Sequence, residues 1–270
     1  MPPLRSLVIW GGPVQRSDLK VPLPEGTDVL VVSQGVGGIG SNAFRDLARS
    51  FIDADGHVLP RFLESRGRRL EDYDRIVLAG FSAFHGFANE VALRDAPWID
   101  GLFSLDACFS AKNALVKKGY VRLARRAIQR ESTVVLTSSW GGGDTYSTGS
   151  ACAHATFDEA VKQENVEPIP WTLDKIPQPH LALRAGNLLL LDYENQFTHV
   201  EHVQKLATPV LTETMLPILS KGPPSQQAPP GQEEDTSSSN PPTNFWIPVT
   251  AFVATSLFLG TIFLSRRKDM

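Results

Sequence analysis

An α/β protein, with helices on both faces of a mainly parallel sheet in a three-layer α/β/α sandwich, is predicted by three observations. Short apolar, β-branched runs alternate with helix-like stretches over roughly the first 220 residues, which is the pattern of successive βαβ units. The runs at Asp28–Ser33, Arg75–Ala79, Thr133–Ser138 and Asn187–Asp192 read as strands buried on both faces. The run Arg75–Ala79 leads directly into Gly80-Phe81-Ser82-Ala83-Phe84-His85-Gly86, and Phe84, Phe87, Ala88 and Val91 follow at helical spacing. Strand, tight turn and helix with a serine at the tip are the context a nucleophile elbow needs.

The elements follow in order. Ser6–Trp10 is a first strand closed by Gly11-Gly12-Pro13, and polar, proline-punctuated residues 14–27 connect it to the second strand, Asp28–Ser33. The run Gln34-Gly35-Val36-Gly37-Gly38-Ile39-Gly40 precedes an amphipathic helix over Asn42–Phe51. Residues 53–70 are irregular or helical, and Arg61, Arg66, Arg68 and Arg69 give them a basic, solvated face. After the Ser82 unit, Trp98–Leu105 is a strand ending at Asp106, and Leu115–Arg130 a helix with Val116, Tyr120, Leu123 and Ala127 inward. Thr133–Ser138 precedes Trp140-Gly141-Gly142-Gly143-Asp144, then a loop and helix over 145–163 and a proline-rich irregular stretch over 165–182. Asn187–Asp192 is the last strand; a loop carrying His199 and a helix over Val200–Leu219 complete the domain.

With 270 residues and 42% hydrophobic content the chain can bury a substantial core. The net charge of −3 provides no basic excess for nucleic acid. Cys108 and Cys152 form no C-x-x-C pair, so a zinc ribbon and a thioredoxin-like motif are excluded and two buried free thiols are expected, with one disulfide as the alternative.

In parallel sheets, sites form beyond the carboxyl ends of the strands. Gln34, Ser82, Asp106, Asp144 and His199 all fall there. Nucleophilic acyl transfer needs a serine, a base for its proton, a carboxylate to orient the base and N–H donors for the oxyanion. The order Ser82, Asp106, His199 is the chain order of the α/β-hydrolases.

The chain resembles the α/β-hydrolase superfamily over about residues 5–220, and more narrowly small bacterial and phage hydrolase-like proteins. The matching pieces are Gly80-Phe81-Ser82-Ala83, the stretch from Asp100-Gly101 to Leu105-Asp106, Tyr146-Ser147-Thr148 and Thr198-His199-Val200-Glu201-His202. The resemblance implies a cofactor-free serine hydrolase acting on an ester or lipid-like substrate, with Ser82 as nucleophile, His199 as base and Asp106 as orienting acid. It also implies Gln34 or Gly35, with Ala83, as oxyanion donors. Phe84 departs from the glycine of G-x-S-x-G. Asp144 is the rival acid, since it follows the strand where the superfamily more often places that residue, and His202 is the rival base. A metal held by His199 and His202 is disfavoured, because helical zinc sites prefer i,i+4 spacing and a third ligand. His57, His85, His154 and His180 read as surface or packing residues.

Two other functions compete. Gly35–Gly40 satisfies G-x-G-x-x-G, with Asp53 and Asp55 downstream, as in a dinucleotide site. Alternatively, Phe84 marks a hydrolase fold kept as a non-catalytic binding or accessory module.

Residues 223–244, rich in Pro, Gln, Ser and Thr, read as a flexible linker. Residues 245–264 are uncharged and mainly apolar, a membrane-spanning segment preceding a basic tail over 265–270. Arg266, Arg267 and Lys268 on the cytoplasmic side favour the outer side of a single-pass membrane protein for the domain; a tail-anchored protein with a cytosolic domain, and a sorting tail that is later removed, are the alternatives. The amino-terminal apolar run, Leu7–Trp10, is too short for a signal peptide.

Overall fold

The computed structural model describes residues 5–12, 18–33, 41–108, 115–139, 149–172, 174–194 and 196–220, all within one compact unit bounded by Met1 and Gln226. Its strands are β1 (Ser6–Gly12), β2 (Thr27–Ser33), β3 (Arg75–Phe81), β4 (Gly101–Leu105), β5 (Thr133–Ser138), β6 (Ile169–Pro170), β7 (Leu181–Ala185) and β8 (Leu188–Asp192). Its helices are α1 (Ser41–Ser50), α2 (Leu59–Glu64), α3 (His85–Asp95), α4 (Lys118–Ile128), α5 (Gly149–Glu164), α6 (His199–Glu201), α7 (Ala207–Thr214) and α8 (Leu216–Ser220). The eight strands form one sheet in the order β2-β1-β3-β4-β5-β8-β7-β6. The six strands from β2 to β8 in that order are parallel, and β7 and β6 close the edge antiparallel.

The handedness of crossovers explains the layers. From β3 through β4 and β5 to β8 the sheet grows in one direction, and right-handed connections put every intervening helix on the same face. Phe44 and Ala48 of α1, Phe62 of α2, Phe87 and Val91 of α3, Leu123 of α4 and Phe157 of α5 pack there on Ile9, Leu78, Leu102, Leu136 and Leu190. The step from β1 to β2 runs the other way, and Leu19 and Val21 of that connection cover the opposite face. Val210, Leu211, Met215 and Leu219 of the C-terminal helices complete that second layer on Val77, Phe103, Val135 and Leu191.

Several boundaries differ from the sequence reading. The stretch 165–182, expected to be irregular, contains β6 and the start of β7. β7 turns into β8 through Gly186-Asn187, with Gly186 at φ +60° and no room for a Cβ beside Ile128 O, 2.4 Å away. The strand expected from Trp98 begins at Gly101, because Ala96–Trp98 forms a single 3₁₀ turn around Pro97. The single helix expected over Val200–Leu219 is divided into α6, a π-turn over His202–Leu206, α7 and α8. The two cysteines are not free: Cys108 and Cys152 are joined in a disulfide that ties the segment after β4 to α5.

Among the described residues no helix is long and apolar enough to cross a membrane. The expected span, 245–264, lies outside them.

Candidate active site

β3 is extended through Phe81 (φ −122°, ψ 147°), and the chain then reverses at Ser82, which has φ +54°. Residues with a Cβ rarely occupy this region, and when they do the surrounding structure must hold them there. A 3₁₀ turn over Ser82–Phe84 leads into α3. Ser82 therefore stands at the tip of a strand–turn–helix unit, as its sequence context predicts.

Phe84 is accommodated from below rather than by a glycine of its own. Its ring is buried on the sheet over Gly11 of β1 and Gly80 of β3. A Cβ on either glycine would come within 2.0 Å of that ring. Phe44 and Phe87 flank it at centroid distances of 6.3 and 5.7 Å. The close approach of turn and sheet is thus made by two sheet glycines and a large ring. The side chain is only 1% exposed, so it lies beneath the turn, while Ser82 and Ala83 stay partly exposed.

β4 pairs with β3 so that Leu105 faces Phe81. Ser82 and Asp106 are each the next residue on adjacent parallel strands, and both have positive φ, +46° at Asp106. The Asp106 N–H donates to Thr137 O at 3.0 Å and Thr137 Oγ1 at 3.2 Å, which pins the irregular backbone to the end of β5. Its carboxylate is fully buried. Oδ1 accepts the Ser139 N–H at 3.2 Å, Oδ2 lies 3.5 Å from Ser139 Oγ, and His199 Nδ1 is 2.7 Å from Oδ2.

His199 is not on a free loop. It is the first residue of α6, entered through a T-x-x-E capping box. Thr198 Oγ1 accepts the Glu201 N–H at 3.3 Å, and Glu201 Oε2 accepts the Thr198 N–H at 3.0 Å. Hydrogen bonds from Lys205 and from Thr198 hold the Glu201 carboxyl down at about 2, so the cap stays charged. The His199 ring stacks on Phe81 at 4.3 Å with an interplanar angle of 29°. Phe81 directly precedes Ser82, so the imidazole that meets Asp106 also packs on the residue next to the serine.

His202, the rival base, is completely buried, with Thr137 Oγ1 2.6 Å from Nε2 and Ser139 Oγ 2.7 Å from Nδ1. Burial, the largest influence, pushes its pKa down to about 4. Ser139 Oγ stands between it and the Asp106 carboxylate. Sequence reasoning missed its partners Thr137 and Ser139, which read only as the polar end of a strand. It also missed a second histidine–carboxylate pair at the same sheet edge. There His154 Nε2 is 2.9 Å from Asp192 Oδ2, and Ser138 Oγ donates to Asp192 Oδ1 at 3.1 Å. The bond to Asp192 raises the His154 pKa. His85, another expected packing residue, lies buried beneath the turn, with Nδ1 3.0 Å from Ser82 O and a pKa pushed by burial down to about 3.

Gln34, Gly35 and Asp144 lie outside the described residues. The strand order places β1 beside β3 and β2 one position further out. The carboxyl end next to the Ser82 turn is therefore that of β1, at Gly11-Gly12. Asp53 spends its Oδ1 on its own turn, accepting the N–H groups of Asp55 at 3.0 Å and His57 at 2.8 Å. Among the described residues no group of three or more His, Cys, Asp or Glu could hold a metal ion.

No protein-family model matches the chain, and no solved structure matches it significantly. Among curated proteins, 58 of its residues are 41% identical to the imidazole glycerol phosphate synthase subunit HisH of Helicobacter hepaticus. The match covers 21% of this chain and 27% of that protein's length.

Proposed function

We propose that the domain is a serine hydrolase of the α/β-hydrolase type that cleaves an ester-like acyl bond. The observation that carries this is the 2.7 Å contact between His199 and the buried Asp106, beside a serine held at φ +54°. With Nδ1 committed to Asp106, Nε2 is the nitrogen that serves Ser82. Ser82 Oγ attacks the acyl carbon as Nε2 takes its proton. The alcohol then leaves with that proton, and water, deprotonated by the same nitrogen, releases the acid and regenerates Ser82. Asp106 orients the ring and stabilises the imidazolium; no metal or cofactor takes part.

The N–H of Ala83, the residue after the nucleophile, is the oxyanion donor on the α3 side. Gln34 and Gly35 remain the proposed second donors. The likeness to a synthase subunit covers a fifth of the chain, so it supports an enzymatic reading without naming the reaction. The buried seat of Phe84 weighs against a non-catalytic module, since the departure from glycine leaves the turn intact. The disulfide supports an oxidising compartment, in keeping with an outward-facing domain tethered through residues 245–264.

Labelling of the full chain by a fluorophosphonate probe, together with hydrolysis of short- and long-chain esters, tests the reading. Both are expected in the parent chain and absent in Ser82→Ala. A parent chain that neither labels nor hydrolyses any ester would leave the binding-module reading in its place.

A further inference from the structure

His202 follows His199 by three residues and opens the π-turn over His202–Leu206. Both of its ring nitrogens lie against hydroxyls, Nε2 against Thr137 Oγ1 and Nδ1 against Ser139 Oγ. With its pKa lowered by burial the ring is neutral near pH 7, so it carries one N–H and one acceptor nitrogen.

Asp106 decides which nitrogen holds the proton. Were it Nε2, the Ser139 hydroxyl would donate to Nδ1 and turn an oxygen lone pair towards the buried carboxylate, 3.5 Å away. In a buried site of low polarisability that arrangement is costly. With the proton on Nδ1 every hydrogen has a destination. The Thr137 O–H donates to Nε2 at 2.6 Å, in preference to Ser104 O at 3.3 Å. The Nδ1–H donates to Ser139 Oγ at 2.7 Å, and the Ser139 O–H is directed at Asp106 Oδ2. The carboxylate is then ringed by three donors: the Ser139 N–H, the Ser139 O–H and His199 Nδ1–H.

We infer that His202, as the neutral Nδ1–H tautomer, acts through Ser139 to hold the Asp106 carboxylate in the orientation that His199 requires. His202 and Ser139 are positioning residues in this account. It rests on the reading of Asp106 as the orienting acid. Among the described residues, the titratable groups facing the chain of bonds are Asp106, His199 and Tyr193. Glu201, on the adjoining turn, is committed to Thr198 and Lys205. Tyr193 meets the His202 ring edge-on at 5.7 Å, which fixes the ring plane without competing for its nitrogens.

Histidine-labelled full chain, followed by nitrogen-15 NMR, reports the tautomer of His202 directly. The Nδ1–H form is expected near pH 7; the Nε2–H form or a protonated ring there would overturn the inference. Ser139→Ala removes the hydroxyl and keeps the backbone donor. It is expected to shift or broaden the low-field proton shared by His199 and Asp106 and to lower kcat about tenfold with KM unchanged. Ser139→Thr is expected to restore both, which a merely structural loss would not allow. An unchanged low-field proton in a folded Ser139→Ala chain would overturn the inference, whatever the activity. A chain inactive on every ester whose low-field proton still moves would sink the hydrolase reading while leaving the positioning chain standing.

Discussion

Two histidine–aspartate pairs stand at the same edge of the sheet, and their surroundings separate them. Asp106–His199 and Asp192–His154 have nearly equal lengths, 2.7 and 2.9 Å, and each has a serine from the end of β5 beside the carboxylate. Asp192 completes a regular strand and holds a half-buried histidine on α5. Asp106 lies beyond its strand at positive φ, is backed by buried His202, and shares its sheet edge with a serine whose backbone is equally unusual. A hydrogen-bonded His–Asp pair is by itself a docking contact for a helix. What sets the Asp106 pair apart is a backbone held against its preference by its surroundings.

The widest separation between the pairs should come from removing each carboxylate. Asp106→Asn is expected to lower kcat for ester hydrolysis by about 10⁴-fold, since the amide favours the wrong imidazole tautomer, whereas Asp192→Asn should leave kcat within about twofold of the parent. Similar losses from both would erase the distinction.

The support beneath the two pairs also differs. Phe84→Ala empties the seat over Gly11 and Gly80 and should cost about 3–5 kcal/mol in urea unfolding. The disulfide links the two regions, since Cys108 follows Asp106 by two residues and Cys152 precedes His154 by two. Closing a loop with a separation of 44 residues, it should contribute about 2–4 kcal/mol, measured as the stability lost in Cys108→Ser with Cys152→Ser.

Titration should move the two regions in opposite senses. His202 and His85 stay neutral in the fold down to about pH 4 and 3, while in the unfolded chain they protonate near 6.5. Between those limits the unfolded chain binds more protons, so stability should fall as pH falls from about 6.5 towards 4, by up to about 1.4 kcal/mol per unit for each ring. His154 has a raised pKa, so its contribution is complete below about 6.5 and is lost as pH rises through its folded value. Denaturation at a series of pH values, repeated with His154→Gln, separates them. That variant should lose less than about 1 kcal/mol, as expected for a partly exposed pair.

The sheet and the Ser82, Asp106 and His199 positions were legible because strands covered on both faces are written as unbroken apolar runs, with polar residues at their ends. The relay behind Asp106 was not. Thr137 and Ser139 lie 65 and 63 residues from His202 in sequence, and no local pattern joins them. The cysteines were equally opaque, since two thiols 44 residues apart obey no spacing rule. The β7–β8 hairpin did carry a signal, a glycine–asparagine pair before the apolar run at Leu188. Its half-buried first strand, interrupted by Arg184, masked it. Phe84 conflicted with a motif only while the glycines it rests on, one on a different strand, were out of view.

One further consequence follows from the division of the C-terminal helix. The segment that opens with His199 is the same one that ends with α8, so His199, His202 and the apolar cover of the second face form a single strip of chain. A pull applied beyond Ser220 is borne first by Leu219 and Met215, then by Leu211 and Val210, and only afterwards by the histidines. Tension at that end would therefore peel the second layer progressively towards His199, and the contact between His199 and Asp106 would be sensitive to mechanical load on the chain beyond Ser220.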